Sequence, residues 1–494
     1  MRGSDFADFL LGMAQQASVQ YGPGTVTLKG KSLAGFVNDD WRVNGRVTAQ
    51  LGLRYELLWP FIEDSGHLVN LDVTPNFTAA APVPADGVGP YTGQFPSSLI
   101  ETDTNNFAPR LGLAWRLGRG TVVRGGFGIS YNNGTYSAIA RQLAVQPPFA
   151  TSNTNIGTVS SALLMENALT GVNPEDTTNT YGIDKNYVLG RVETYNIDVN
   201  HQLRTAWVVG ANYTYTLGSN LDVVRAPNRG PTGLRIEDVQ PFLWETSEGE
   251  SILHSATFRV QRRQVRGLGG GLQYTLAKSR DNAPSIGGGG PTSSAVVAQN
   301  DQDLNAEWAL SSFDRRQRVN ANVNYDLPFG PNRPWLNNGG TLASWLEGWR
   351  VTATLLLDAG TPLTARVQGA ARDVAQGVNG ALRADYNGQD ISPADPTINQ
   401  FFNTGAFTVP LTGRFGDSPR NIIIGPGSKM LNAQLSRDIR LGGTRALSLQ
   451  MRVNNLLNSI NYAAVDTNVN SPTFGQVLAV RPMRSAQLNL RFRF

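Results

Sequence analysis

Apolar and polar residues alternate strictly at the carboxyl end of the chain, over residues 485–494. The even positions from 486 to 494 are apolar, and the odd positions from 485 to 493 are polar. A period of two is that of a β-strand with one apolar and one polar face. The pattern continues to the terminal residue, Phe494, where an unpaired strand would fray. Pairing with another strand in a closed membrane barrel would remove this open edge.

The same alternation recurs along the chain, for example over residues 47–55, 207–215 and 319–327. In each stretch one face is apolar and the other carries polar, small or charged residues, as lipid on one side and a watery lumen on the other require. The pattern predicts about thirteen strands. They lie near residues 31–42, 46–56, 107–117, 120–131, 191–203, 206–217, 252–262, 267–279, 314–327, 348–358, 429–440, 444–455 and 484–494.

Short and long links alternate between these predicted strands. The short links lie near residues 43–45, 117–119, 204–205, 264–266 and 441–443, with a longer one at 328–347. The long links span roughly residues 57–106, 132–190, 218–251, 280–313, 359–428 and 456–483. Short turns on one side and long loops on the other are typical of an outer-membrane barrel, whereas a β-sandwich or propeller has no need of this alternation. We therefore predict an all-β fold, an antiparallel transmembrane β-barrel.

The alternation of links also gives the strands a direction. The last strand must run from the long-loop side to the short-turn side, which places the carboxyl end in the periplasm. An odd number of strands leaves the first strand starting outside the cell, whereas single-chain bacterial barrels normally have an even number. We therefore expect further amino-terminal strands outside this sequence, so that these residues make a partial barrel of about 13–14 strands. Residues 1–6 contain no signal peptide, which agrees with this expectation.

Composition supports the membrane interpretation. Charged residues make up only 16% of the 494 residues, and the chain has 40% hydrophobic residues but no apolar run long enough for a transmembrane helix. The net charge of +4 does not point to nucleic acid. The absence of cysteine excludes disulfides and cysteine-ligated metals.

Two segments outside the predicted strands have local patterns of their own. Residues 5–14 predict a short helix, which makes residues 1–30 an outer-loop segment and residues 31–494 the barrel, without a plug domain. The glycine-rich stretch 285–291 predicts a flexible loop tip.

Three clusters of acidic and basic residues are candidate binding sites. Asp39 and Asp40 precede Trp41, and a strand-end charge beside an interfacial aromatic explains them better than a cation site does. Asp301, Asp303 and Glu307 share one long link, where solvated loop charge is a simpler account than calcium, because EF-hand spacing is absent. The cluster at residues 314–318 is expected to pair internally or to line the lumen.

No catalytic or cofactor-binding constellation is found. His67, His201 and His254 are far apart in sequence and form no HExxH motif. Residues 425–429 lack the spacing of a phosphate loop, and residues 128–132 lack the second glycine of a nucleophile elbow. Residues 269–271 suggest close backbone approach within a strand. We expect no enzyme activity, no metal and no cofactor, and the sequence leaves the ligand-binding residues unknown.

Aromatic residues lie near the ends of the predicted strands. They are Trp41, Tyr55, Trp115, Trp207, Tyr215, Tyr325 and Trp349. Girdles at the two membrane interfaces explain this placement better than sugar stacking in the lumen.

Several segments resemble the barrel of TonB-dependent receptors, especially the Oar-like branch. The resembling segments are residues 31–41, 51–56, 106–112, 311–318, 452–458 and the closing strand. The resemblance implies the carboxy-terminal part of a barrel of roughly 22 strands that holds a plug domain. It further implies the outer membrane of a Gram-negative cell, contacts with lipid and lipopolysaccharide, assembly through Phe494 by the barrel-assembly machinery, and coupling to the TonB complex through an amino-terminal region missing here.

The implied function is uptake of an unknown ligand across the outer membrane, without a role for nucleic acid. A passive porin or an adhesin-like barrel that presents binding loops is the alternative, and a soluble all-β carbohydrate-binding protein is a weaker one. A plug and a TonB box encoded upstream would favour ligand uptake over the porin or the adhesin-like barrel. The chain alone would leave two open strand edges, which are costly in lipid. We therefore expect that it does not insert by itself as a stable barrel.

Overall fold

The computed structural model describes residues 5–14, 16–21, 24–156, 163–169, 178–230, 233–283, 297–367, 381–392, 396–411 and 413–494. The loop tip predicted at residues 285–291 lies outside these ranges.

A single antiparallel meander of thirteen long strands dominates the fold. In chain order the strands are β1 (Leu28–Arg42), β2 (Val47–Glu63), β3 (Phe107–Arg116), β4 (Thr121–Tyr131), β5 (Arg191–Arg204), β6 (Trp207–Arg225), β7 (Leu243–Val265), β8 (Leu268–Asp281), β9 (Gln317–Asp326), β10 (Trp349–Asp358), β11 (Ser428–Gly442), β12 (Arg445–Asn454) and β13 (Ser485–Arg493). Each strand pairs with its neighbours in the sequence, from β1 at one edge to β13 at the other. All thirteen predicted strands are therefore present, in the predicted antiparallel arrangement.

The two edge strands of the meander do not meet. Within the described residues, β1 pairs only with β2 and β13 pairs only with β12, so that the sheet is not closed. Two short strands extend it on the long-link side: Tyr181–Ile183 runs parallel to β7, and Ala309–Leu310 pairs with β8.

The strand register joins the apolar positions of all thirteen strands into one continuous face. Leu111 on β3 lies opposite Leu51 on β2 and Phe127 on β4, and Leu490 on β13 lies opposite Leu449 on β12. The face also includes Val37, Leu53, Ile197, Tyr213, Phe258, Leu272, Val323, Leu355, Leu435, Met451 and Leu488. Many of these side chains are exposed in the isolated chain, as a face that contacts lipid requires.

Aromatic residues form a belt at each end of this face. The belt beside the short links contains Trp41, Trp115, Trp207, Tyr325 and Trp349. The belt beside the long links contains Tyr55, Phe107, Phe127, Tyr195 and Tyr215. Along β3 the two belts are eight residues apart, roughly 27 Å of strand. This spacing fits an apolar band about 25 Å tall, and the placement follows the predicted girdles.

The long links fold into a layer of their own, which we call the loop layer. Its short strands are Met13–Ala14, Gln16–Tyr21, Val69–Val73, Ala80–Pro84, Val88–Gly89, Gly93–Gln94, Thr151–Ile156, Leu163–Leu164, Pro362–Leu363, Asp385–Tyr386, Phe407–Thr408, Ile423–Ile424, Tyr462–Val465 and Val477–Val480. Its helices are α1 (Asp5–Leu10) and α2 (Tyr136–Leu143), with 3₁₀ turns at Met165–Asn167, Leu304–Glu307 and Thr404–Ala406. On the short-link side, α3 (Thr341–Leu346) lies between β9 and β10.

The predicted helix at residues 5–14 is shorter than expected. It ends at Leu10, and residues 13 and 14 form a strand with Leu163–Leu164. Gly12, which has a φ of +64°, turns the chain between the two elements. None of the described helices is long and apolar enough to cross a membrane.

The hydrophobic core lies in the loop layer. One cluster combines α2 with the links that follow β2 and β4, and it includes Leu68, Leu99, Ile139, Leu143 and Ile183. A second cluster surrounds Trp244, and a third surrounds Phe402 and Phe407. Barrel strands turn their apolar face to lipid. The hydrophobic effect therefore buries apolar side chains mainly in the links.

Candidate ligand-binding site

The face of the sheet opposite the lipid is polar and contains a groove. The groove has a volume of about 730 Å³ and lies across β2 to β5, where Gln50, Arg110, Arg124 and Asn196 line it. Its floor is low because Gly112 on β3 lies opposite Gly126 on β4. A Cβ at Gly126 would stand 3.1 Å from the Asn196 amide, so that a side chain there would fill the groove.

The groove has a cationic border. Arg259 on β7 donates to Asp198 on β5, and Arg124 approaches the same carboxylate at 3.9 Å. Arg110 makes no ion pair with any residue that the structure describes. The charged groups therefore leave an excess of positive charge beside the groove, whose other polar lining residues carry amides and hydroxyls.

A second cavity, which we call the loop pocket, lies in the loop layer on the long-link side. Its volume is about 310 Å³, at the lower end of the range for small-molecule sites. The link after β2, the segment 184–186 and the outer ends of β6 and β7 build it. Its lining combines aromatic, cationic and acidic side chains: Phe77, Phe95, Trp244, Lys185, Arg225, Asp72, Asp184 and Glu248.

Aromatic rings and cations are stacked in the wall of the loop pocket. The Phe77 and Trp244 rings meet edge to face, with centroids 6.1 Å apart, and the Arg225 guanidinium lies 4.8 Å from the Phe77 centroid. Lys185 lies 5.0 Å from the Phe95 centroid, and its Nζ donates to Thr92 O at 2.8 Å. Such walls bind ligands that present an apolar face together with polar groups.

The acidic groups of the loop pocket are held by local hydrogen bonds. The Asp72 carboxylate accepts from Tyr91 N at 2.6 Å and from the Thr92 hydroxyl at 2.6 Å. Glu248 is half-exposed and accepts from Arg225 Nη1 at 2.9 Å. These contacts fix the shape of the pocket before any ligand arrives, which lowers the entropy cost of binding.

A buried network of ion pairs continues from the loop pocket into the layer. The Arg225 side chain binds Asp301 through Nε and Nη2, at 2.8 and 2.9 Å. Further along, Glu307 accepts from Arg383 Nη1 at 2.6 Å, and Arg420 binds both Asp281 and the backbone oxygen of Glu307. Removing one member would leave its partner charged and buried, which is strongly destabilising.

Two phenol–carboxylate pairs support the loop layer near the pocket. The Tyr181 hydroxyl donates to Glu245, and the Tyr187 hydroxyl donates to Asp222. Burial raises the pKa of Glu245 despite the Tyr181 hydrogen bond, and repulsion from Asp222 raises it further. Burial also raises the pKa of both tyrosines above their usual value, so that they remain donors.

The prediction that Asp301, Asp303 and Glu307 are solvated loop charges is wrong for two of the three. Asp301 and Glu307 are buried and pair with arginines, while Asp303 caps a 3₁₀ turn by accepting from Ala306 N. Their partners lie about 76 or more residues away in the chain, so no local pattern could show them. Among the described residues, no group of three or more histidine or acidic side chains could hold a metal ion.

The cluster at residues 314–318 pairs across the sheet. Arg318 Nε lies 2.5 Å from Asp358 on β10, Arg315 lies 3.6 Å from the same carboxylate, and Asp314 accepts from Ser279 N at 2.6 Å. Asp40 accepts from Gln50 on the lumen face, whereas Asp39 lies on the lipid face two residues before Trp41, near the strand end as predicted.

The remaining sequence candidates have structural roles. The three histidines occupy separate places: His201 bonds Thr121 Oγ1 at 2.8 Å, His254 bonds the Tyr213 hydroxyl at 2.8 Å, and His67 lies 4.0 Å from Glu63. At Gly270, within residues 269–271, a Cβ would collide with Asn322 O of β9, so the predicted close backbone approach is present. Residues 425–427 connect the strand Ile423–Ile424 to β11, and residues 428 and 429 are the first two of β11.

An unclosed antiparallel wall with a lipid face, aromatic belts and a polar inner face defines a membrane β-barrel protein. The chain matches the model of the outer membrane beta barrel domain over residues 1–487, and it belongs to that family. The predicted fold class and the predicted location in the cell outer membrane are thereby confirmed. No protein of curated function is significantly similar to the chain in sequence.

Several solved outer-membrane structures are similar to the chain at low identity. The outer membrane transporter YddB from Escherichia coli is 9% identical, with a TM-score of 0.48, and the match covers 94% of this chain and 54% of that one. The FrpB iron transporter from Neisseria meningitidis is 11% identical, with a TM-score of 0.43 and coverage of 94% and 46%. The siderophore receptor PiuA from Acinetobacter baumannii is 11% identical, with a TM-score of 0.42 and coverage of 94% and 43%. This chain spans about half the length of these structures.

Proposed function

We propose that the chain forms the barrel part of an outer-membrane receptor that takes up a ligand. The observation that carries the proposal is the loop pocket, which lies on the long-link side of strands whose inner face forms the polar groove. A ligand captured between Phe77, Trp244 and Arg225 would pass from the pocket towards the groove at Arg110 and Arg124. The chemistry is recognition and passage, because neither site contains a catalytic constellation.

The partners of this function are part of the proposal. Residues 31–494 would contact membrane lipid through the apolar face and lipopolysaccharide at the long-link side, with residues 1–30 in an outer loop. Phe494 would present the closing strand to the barrel-assembly machinery. TonB would act through an amino-terminal region and plug outside residues 1–494. The loop layer supports capture of a specific ligand, because its buried ion pairs hold the loops in one arrangement, which passive diffusion through a porin does not require.

An uptake assay in cells tests the proposal. A strain lacking the gene is complemented with the full-length gene, and uptake of labelled siderophores, vitamins and oligosaccharides is measured with and without a protonophore. We expect saturable, energy-dependent uptake of one ligand class, which is lost in a strain without TonB. Passive uptake that is insensitive to the protonophore would instead establish the porin, and cell adhesion without uptake would establish the adhesin-like barrel.

A matched pair of variants tests the pocket itself. Phe77→Ala removes an aromatic wall of the loop pocket, whereas Tyr91→Ala removes an exposed ring that does not line it. We expect a higher half-saturation concentration for F77A and unchanged uptake for Y91A. Equal uptake by both variants, at equal amounts of protein in the outer membrane, would show that the loop pocket is not the capture site.

A further inference from the structure

Arg366 and Arg383 lie directly opposite one another in the loop layer. They form an isolated antiparallel bridge, framed by backbone hydrogen bonds of 3.0 and 3.1 Å between their flanking residues. The bonds lie on either side of the two residues, so that these are a non-hydrogen-bonded pair, whose side chains share one face and approach closely. Like charges in facing positions repel, and a counter-charge is needed to hold them together.

Both side chains are withdrawn from water, and both keep unused donors. Arg366 is 8% exposed and Arg383 is 7% exposed. Arg383 uses Nη1 to bind Glu307, while its Nε is buried without an acceptor. The Arg366 guanidinium makes no hydrogen bond or ion pair with any residue that the structure describes. Within the described part of the chain, the five N–H groups of the Arg366 guanidinium and the Nε–H of Arg383 therefore have no acceptor.

The nearby carboxylates are already engaged. Arg420 binds Asp281, and its Nε lies 3.6 Å from Glu307 Oε2, while Arg383 occupies Glu307 Oε1. Arg383 and Arg420 thus occupy both carboxylates, and among the described residues Arg366 has no acidic partner. The cluster has a positive charge that the described acidic groups do not balance.

Loss of a proton does not remove this charge. Burial, followed by repulsion from Arg383 and Arg420, lowers the pKa of Arg366 to about 10, so that the guanidinium remains charged at neutral pH. A buried cation without a counter-ion is costly. A bound anion would relieve both the desolvation of Arg366 and its repulsion from the facing arginine.

We infer that Arg366 and Arg383 form a binding site for an oxyanion, a carboxylate or phosphate group. The planar guanidinium offers paired N–H groups that match two oxygens of such a group, and Arg383 Nε supplies a further donor. Cationic ligands and metal ions are repelled there, and a neutral sugar would leave the charge uncompensated. The site is separate from the loop pocket, and it concerns binding alone, so it stands whether or not the chain transports a ligand.

Calorimetry on the full-length protein, purified from outer membranes in detergent, tests the inference. Citrate, inorganic phosphate and lipopolysaccharide are titrated separately at pH 7, in chloride buffer of constant ionic strength. The variants are Arg366→Gln, which keeps the size but removes the charge, and Arg119→Gln, in an exposed short turn, as the control. We expect R366Q to weaken binding of the anion at least tenfold, while R119Q binds like the wild type.

The three probes distinguish the source of the oxyanion. Saturable binding of citrate or phosphate that depends on Arg366 supports a free anionic ligand, and binding of lipopolysaccharide alone, with the same dependence, supports a lipid phosphate. Binding that is equal in R366Q and the wild type would overturn the inference, as would no saturable binding of any probe.

A second measurement uses only the wild-type protein, so that it is valid even if Arg366→Gln does not fold. Crystals of the wild-type protein are soaked in selenate, a tetrahedral oxyanion whose selenium gives an anomalous signal. A selenium peak between Arg366 and Arg383 supports the site. Selenate bound elsewhere, with no peak at these two arginines, would overturn the inference. Heat-modifiable migration on gels separately shows whether R366Q is folded.

Discussion

The strand wall and the loop layer are stabilised in opposite ways. The wall turns its apolar side chains outwards, where Leu488 is 76% and Leu490 68% exposed, and it keeps polar groups inside. The loop layer buries its apolar side chains, and it also buries a chain of ion pairs. The wall depends on lipid and on backbone pairing, while the loop layer depends on water-driven burial and on specific partners. A substitution in one region should therefore destabilise that region and leave the other region folded.

The largest expected effect comes from the ionic network of the loop layer. Glu307→Gln removes the carboxylate that binds Arg383 and faces Arg420, and breaking a buried pair in this way costs about 3–5 kcal/mol. Glu248→Gln is the control, because this acid pairs with Arg225 while half-exposed, where a pair contributes about 0–1 kcal/mol. Hydrogen exchange of the two variants should show opening of the loop layer in E307Q alone. Equal protection in both would mean that the network does not stabilise the layer.

A cavity in the loop layer should have an effect of similar size. Leu143 on α2 is 1% exposed, and truncating such a leucine to alanine costs about 2–5 kcal/mol. Leu411→Ala, at a position that is 74% exposed, is the matched control. Limited proteolysis should cut the loops of L143A faster while the strand wall keeps its heat-modifiable migration. If the wall of L143A unfolds together with the loops, the two regions are not independent.

The wall should be sensitive to which face receives a charge. Leu272 and Gln273 are neighbours on β8 that point to opposite faces, lipid and lumen. An arginine on the lipid face near the middle of the membrane costs about 2–4 kcal/mol. Urea unfolding of the full-length protein in phospholipid bilayers should show this loss for Leu272→Arg and little change for Gln273→Arg. If Gln273→Arg lost more stability than Leu272→Arg, Gln273 and not Leu272 would face the lipid.

The wall was predictable from the sequence because its information is local. A period of two within each strand, together with the alternating link lengths, was sufficient to locate all thirteen strands. Three strands extend well beyond their predicted ends: β2 reaches Glu63, β6 reaches Arg225 and β7 begins at Leu243. Beyond the belts these strands leave the lipid, and the apolar alternation that marks a membrane strand no longer applies.

The candidate sites were not predictable, because their information is long-range. Arg420 and Asp281 are 139 residues apart, and Arg383 and Glu307 are 76 residues apart. Asp281 is the last residue of β8, beyond the predicted end of that strand, and the other three residues belong to links without a repeating pattern. A charged side chain in such a link is expected to be solvated. The loop pocket likewise combines the link after β2 with the start of β7. Only the folded loop layer brings such residues together.

The smallest expected effect is a dependence of the loop layer on pH. Burial raises the pKa of Glu245, so that the folded chain holds this proton at pH values where the unfolded chain has lost it. Stability then rises as the pH falls from neutral through the folded pKa, and this gain ends near the unfolded value of about 4.3. Glu245→Gln keeps an acceptor for the Tyr181 hydroxyl. It should remove the contribution of Glu245 to the change of loop-layer stability with pH. The rate of proteolysis of the loop layer is measured at a series of pH values. If this rate depends on pH in E245Q as it does in the wild type, other groups cause the dependence. Because Glu245 lies beyond the belts, the strand wall in the lipid should not respond.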